Sequence, residues 1–282
     1  MNWSSIAILV RKDVLKVIRN PGVRIPLLAA PAVILIALPA LLVLGGAGLA
    51  ASTPIPLDAQ TVFEGLRENT LGGTVTTGGG GGAAVRLSGE ARWTLYVLEF
   101  FLAPLYLLIP LIVATVIAAD SFAGERERRT LETLLQTPTT DSELLVAKIV
   151  SAWLPALVVS LGGFVAYGVL ANLLAWPYLG TWFFPTPMWL VLALWVSPAL
   201  AAVGLGLMVY VSSRVNSLQA AHQLGSLVVL PIVVLVIAQV TGAALLDVGL
   251  VVAMGSVLWL LAALLLAVAT RVFTRDQLAA KL

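Results

Sequence analysis

Six stretches of this 282-residue chain are apolar for long enough to cross a lipid bilayer, and no other property limits its fold so severely. A helix rises about 1.5 Å per residue, so roughly 20 residues cover a hydrocarbon core of ~30 Å. The runs 25–50, 95–119, 149–175, 188–211, 224–246 and 249–270 all meet that length. Hydrocarbon offers no water to a free N–H or C=O, so runs of this length pair their backbones internally as helices. The expected fold class is therefore all-α: a polytopic membrane protein with six transmembrane helices, forming a single transmembrane domain over 1–282.

Composition agrees and excludes several chemistries. Apolar residues make up 60% and charged residues only 11%, where soluble domains carry about 25% charge. Cysteine is absent and His222 is the one histidine. Disulfides, thiolate chemistry and a His-rich metal centre are thereby excluded, and the expectation is no cofactor and no metal. The chain has no GxxxxGK[ST] run, so it brings no Walker loop of its own for ATP. The net charge of +2 sits beside the apolar runs and implies topology, with no nucleic-acid partner.

Before the first span, residues 3–20 place Trp3, Ile6, Val10, Val14, Val17 and Ile18 at helical spacing, with Arg11, Lys12, Lys16 and Arg19 mostly elsewhere. This describes an amphipathic helix lying in the membrane interface against lipid. Pro26, Pro31 and Pro39 fall in the first span, which is too long for the core of a signal peptide. Residues 51–94 read as an external loop with a glycine run at 78–82, a flexible link by composition. Six spans put both termini on one side. With that side cytoplasmic, thirteen basic residues lie inside against Arg67, Arg86 and Arg92 outside, a bias that predicts cytoplasmic N- and C-termini and a multi-pass protein of the cell membrane.

Between the second and third spans, residues 120–148 carry the chain's main concentration of charge. Glu125 and Glu127 suit the start of a short helix, and Glu125–Arg129 and Arg128–Glu132 are i,i+4 pairs. Leu131, Leu134 and Leu135 give that helix an apolar edge needing a partner, and Pro138 stops it. Thr140 and Glu143 have capping-box spacing where the third span begins. Helix, stop and capped span together make an elbow.

The same residues resemble those of ABC transporter permeases of the type-2 exporter class, which share a stretch of the form E-x-E-x-G-T-L-E-x-L-L-x-x-P and then a lysine at the next span. Here it stands as Glu125, Glu127, Thr130, Leu131, Glu132, Leu134, Leu135 and Pro138, then Lys148, with Arg129 where the family usually has glycine. The opening RKDVLKVIRNP and the six-span plan extend the likeness over nearly the whole chain. The resemblance implies a transport subunit that is not itself an enzyme. It implies two separate ABC ATP-binding subunits, a second permease subunit that is the same or a different chain, and a coupling helix over 125–138, with Thr140, Glu143 and Lys148 as hinge and cap.

Other polar residues carry plainer expectations. Asp120, Glu99 and Asp247 read as solvated span termini, and Gln239, Thr241, Asn172 and Tyr167 as interhelical hydrogen-bond partners. His222 reads as a capping or packing residue. With no charge well inside the bilayer, the expected cargo is hydrophobic or amphipathic: a drug, a lipid or a lipid-linked molecule. The alternatives are a sodium-export-type ABC permease, a non-transporting ABC membrane component, and a non-ABC secondary carrier or membrane enzyme.

Overall fold

The computed structural model describes residues 7–8, 10–12, 15, 19, 21–46, 89–124, 141–212, 214–215, 217–241 and 246–272. Six helices among them are long and apolar enough to cross a membrane: α1 Leu27–Gly45, α2 Glu90–Gly124, α3 Glu143–Leu179, α4 Pro187–Ser212, α5 Gln219–Val240 and α6 Val248–Thr270. The described residues contain no strand. Because successive spans alternate in direction, α2 ends, α3 begins, α4 ends and α5 begins at one end of the bundle, here termed basal. The ends of α1, α3 and α5 and the starts of α2, α4 and α6 lie at the opposite, distal end.

Two helices form the centre. The apolar windows of α2 and α4 are 67% buried, against 17% for each of α1, α5 and α6, so the latter three are peripheral. Lipid tails are as apolar as leucine, so burial alone does not bring such helices together; close packing and hydrogen bonds must. Small residues supply the packing. A Cβ on Gly206 of α4 would stand 2.7 Å from Leu265 Cβ of α6, and one on Gly255 of α6 would stand 2.4 Å from Trp195 Cδ1 of α4. The two backbones thus approach as closely as only glycine permits.

Three of the prolines within the spans accompany a local widening of the helix. Three π-helical turns, Val33–Ala37, Tyr96–Phe101 and Leu192–Val196, each lie just before a proline: Pro39, Pro104 and Pro198. A proline lacks the N–H that would bond the carbonyl four residues earlier, and its ring crowds that carbonyl. Widening the preceding turn relieves the crowding and leaves carbonyls aimed outward. Aromatic side chains of neighbouring helices donate to two carbonyls in the α2 turn and to two others at or beyond the prolines of α4 and α1. Tyr167 Oη donates to Leu98 O, Trp189 Nε1 to Glu99 O at 3.0 Å, Trp153 Nε1 to Pro198 O at 3.1 Å and Trp93 Nε1 to Leu42 O at 3.0 Å.

Several helices run past their apolar cores. The α3 helix extends over Asp141–Leu179 and ends where Gly180, at φ +66°, takes the left-handed conformation that closes a helix. The α2 helix begins at Gly89, within the stretch 51–94 expected to be loop. Residues 51–88 lie outside the described residues. In the aromatic bend after α3, Trp176 and Trp182 are exposed as an interfacial belt requires, but Phe183, Phe184, Met188 and Trp189 turn inward.

Gly255→Leu should therefore force α4 and α6 apart and destabilise the purified protein by about 1–3 kcal/mol in a detergent thermal melt. Gly162→Ala, where an added Cβ meets nothing within 4 Å, should be neutral or stabilise by about 0.5–1 kcal/mol.

Candidate functional site

At the basal end, the described part of α2 runs to a fourth π turn, Asp120–Gly124, with all five residues buried. Opposite it stands the first part of α3, where Lys148 is 1% exposed. The Lys148 ammonium donates to Ser121 O at 2.8 Å and lies 5.4 Å from the centre of the Phe122 ring. A backbone carbonyl has a second lone pair to offer, so a buried ammonium here gains a charge-assisted hydrogen bond. The ring face adds a cation–π contact. Ser151 Oγ in turn donates to Lys148 O at 2.9 Å. The ends of α2 and α3 are thus tied where the chain departs toward 125 and returns at 141.

Asp120 corrects the sequence reading. It is 5% exposed and not a solvated terminus, because the helix continues four residues beyond it and α3 begins well before its apolar run. Glu143 is likewise buried near the start of α3. Glu125, Glu127, Arg128, Thr130, Leu131, Glu132, Leu134, Leu135, Pro138 and Thr140 lie outside the described residues. His222 is exposed, and the cap of its helix is Ser217, whose Oγ accepts from Ala220 N at 3.2 Å.

A second tie crosses the middle of the bundle. Tyr106 Oη of α2, Ser160 Oγ of α3 and Ser197 Oγ of α4 form a hydroxyl chain with 2.8 Å at each link. Each member is buried, and each serves as partner to the next, as hydroxyl groups in hydrocarbon must.

The third tie is distal and was not legible in the sequence. Glu99, expected at a solvated terminus, is 2% exposed. Its Oε1 accepts from Thr186 Oγ1 at 2.6 Å, while Thr186 caps α4 by accepting from Trp189 N at 3.5 Å. The Glu99 side chain therefore lies at the N-terminus of α4, joined to the residue that caps it. Tyr167 stacks on Trp189 at 4.7 Å between ring centres, and Phe184 meets both edge-on at 5.3 Å. Asn172 holds the α3–α4 link in place: its amide donates to Gly168 O and Phe184 O and accepts from Phe183 N and Phe184 N, all within 3.1 Å. One available signal was the run Thr186-Pro187, a cap residue followed by proline at the first helical position.

Of the remaining expected partners, Tyr167 and Asn172 do bridge separate elements. Thr241 does not: its hydroxyl returns to Ile237 O and Ala238 O of its own helix. The Gln239 side chain is buried, yet neither of its polar atoms has a hydrogen-bond partner. Asp247 is exposed and accepts from Leu250 N at 2.9 Å as a cap of α6.

Polar ties at three levels hold α2, α3 and α4 as one body. Lys148→Met keeps the apolar stem and removes the basal tie, and should cost about 1.5–3 kcal/mol, the worth of a hydrogen bond to a charged group. Amide exchange confined to the 121–124 turn should rise with it; unchanged exchange there would contradict the tie.

Comparison with known proteins bears on what this body does. A search of curated proteins finds no match to the chain. The family model described as ABC-2 family transporter protein matches residues 11–252, which takes in α1–α5, the basal tie and the 125–140 segment. With most of its length matched, the chain belongs to the ABC-2 family of transporter proteins.

Proposed function

We propose that this membrane subunit of an ABC transporter serves an exporter, and that residues 125–138 couple it to ATP hydrolysis in separate subunits. The observation that supports this most is the Lys148–Ser121 bond. A segment that couples must transmit force, and this one leaves and re-enters the bundle through two helix ends joined by a buried charge-assisted hydrogen bond. Displacement of 125–138 would then move α2 and α3 together, and α4 with them through the middle and distal ties.

In this reading Glu125, Glu127, Arg128, Thr130, Leu131, Glu132, Leu134, Leu135 and Pro138 meet the ATP-binding subunit, while Thr140, Glu143 and Lys148 cap and hinge the returning helix. Two ATP-binding subunits and a second permease subunit complete the assembly, and the basal end is cytoplasmic, as the excess of basic residues there favours. The protein then belongs to the cell membrane. ATP-driven closure of the partners, passed through this rigid body, alternates access to a pathway for a hydrophobic or amphipathic cargo. The peripheral placement of α1, α5 and α6 is compatible with entry from lipid.

Replacing Glu132 and Leu134 together, in the chain co-purified with its ATP-binding subunit, should abolish assembly or the stimulation of ATPase activity. If both survive at wild-type levels, 125–138 is not the coupling segment. Lys148→Met should leave assembly intact and lower stimulated transport, measured in vesicles; equal loss of assembly would place Lys148 at the contact instead of behind it.

A further inference from the structure

The basal approach to α1 carries a groove that lies outside the tied helices. The described residues between 7 and 19 are α-helical, and a helix turns about 100° per residue. Ile8, Arg11, Lys12, Leu15 and Arg19 therefore share one side of it, within an arc of roughly 100°. These five residues line an open groove of about 480 Å³. Arg11, Lys12 and Arg19 are cations, Ile8 and Leu15 are aliphatic, and none of the described lining residues is acidic.

Ile8 is 69% and Leu15 41% exposed, whereas Val10, on the far side of the same helix, is half-buried. Aliphatic side chains left open beside a membrane find their cover in its acyl boundary, and flanking arginine and lysine stems then reach back to the phosphate layer. Arg11 and Arg19 offer planar forks that match the oxygens of a phosphate, and Lys12 adds a point charge. Over 3–20 the sequence holds Arg11, Lys12, Lys16 and Arg19 against Asp13 alone. Such an excess of positive charge draws a helix to an anionic leaflet. Position agrees with chemistry. The helix Pro21–Ala32 leads into α1, and from Pro21 to Leu27 it rises about 9 Å. Arg19 thus stands within reach of the headgroup layer that borders the hydrocarbon core.

We propose that this groove is a headgroup site for an anionic phospholipid of the basal leaflet. The Arg11 and Arg19 guanidinium groups and the Lys12 ammonium hold the phosphodiester, while Ile8 and Leu15 lie against the glycerol backbone and the first acyl carbons. Phosphatidylglycerol, which carries a phosphate and no amine, suits this set of groups. Phosphatidylcholine brings a cation of its own, which competes with the three. Binding belongs to this chain alone and does not rest on export, cargo or coupling.

The test uses the full chain in detergent micelles, without ATP-binding subunits, and counts lipid adducts by native mass spectrometry with phosphatidylglycerol and phosphatidylcholine of the same acyl chains. The expected result is a saturable phosphatidylglycerol adduct that neither phosphatidylcholine nor glycerol phosphate displaces. Arg19→Gln should weaken it about fivefold, and Arg11→Gln, Lys12→Gln and Arg19→Gln together roughly 100-fold. Arg214→Gln, which removes a basal cation set over the Tyr210 ring just past α4, should leave it unchanged. The Arg19 variant serves alone if the triple variant fails to fold. Equal binding of the two lipids, or equal affinity in wild type and the groove variants, overturns the proposal. Full competition by glycerol phosphate also overturns it, since the groove would then be a site for free phosphate. A triple variant that keeps the lipid yet no longer co-purifies with the ATP-binding subunit overturns it as well and makes the groove a protein contact.

Discussion

Every backbone carbonyl placed in hydrocarbon has to be answered by a donor inside the protein, and the arrangement of this bundle follows from that requirement. Prolines at 39, 104 and 198 each remove a donor, and the turns before them widen. The carbonyls so exposed would be ruinous against lipid. Tyr167 and Trp189 answer two of them on α2, and Trp153 bonds Pro198 O itself on α4. Packing of α3 and α4 against α2 is therefore fixed in register by hydrogen-bond geometry, where apolar contact alone would let the helices slide.

This accounts for the division of the molecule into a centre tied by polar bonds and a periphery held by apolar packing. The centre holds its polar groups in pairs: Lys148 with Ser121, Tyr106 with Ser160 and Ser197, Glu99 with Thr186. Around it, α1 and α6 rely on close approach to small residues, and α5 rests on few buried side chains.

The six spans were legible in the sequence because apolar length is a local property. Helix ends were not. Asp120 and Glu99 read as solvated because each stands at the limit of an apolar run, yet α2 covers Glu90–Gly124 and its neighbours bury both residues. Charge near a boundary says nothing of what packs on it, and Thr186, Glu99's partner, is 87 residues away. Tyr167 and Asn172 could be recognised as bridging residues, since a polar group in an apolar span must find a donor or acceptor, but which one depends on tertiary packing. Lys148 stands out in the sequence only through family resemblance; its bond to Ser121 depends on how α2 and α3 pack. The coupling residues at 125–138 are legible as a motif only, for they lie outside the described residues.

The same 87-residue separation has a consequence for how the protein is made. Translation at about 5–20 residues per second delivers Thr186 roughly 4–17 s after Glu99. Throughout that interval α2 carries an acidic side chain whose hydroxyl partner does not yet exist, together with the Glu99 carbonyl that Trp189 later bonds. The second helix is thus complete before the groups that pair with its Glu99 side chain and carbonyl have been made. The distal tie is in that sense a late contact, one that cannot form until the chain has been made as far as the fourth helix.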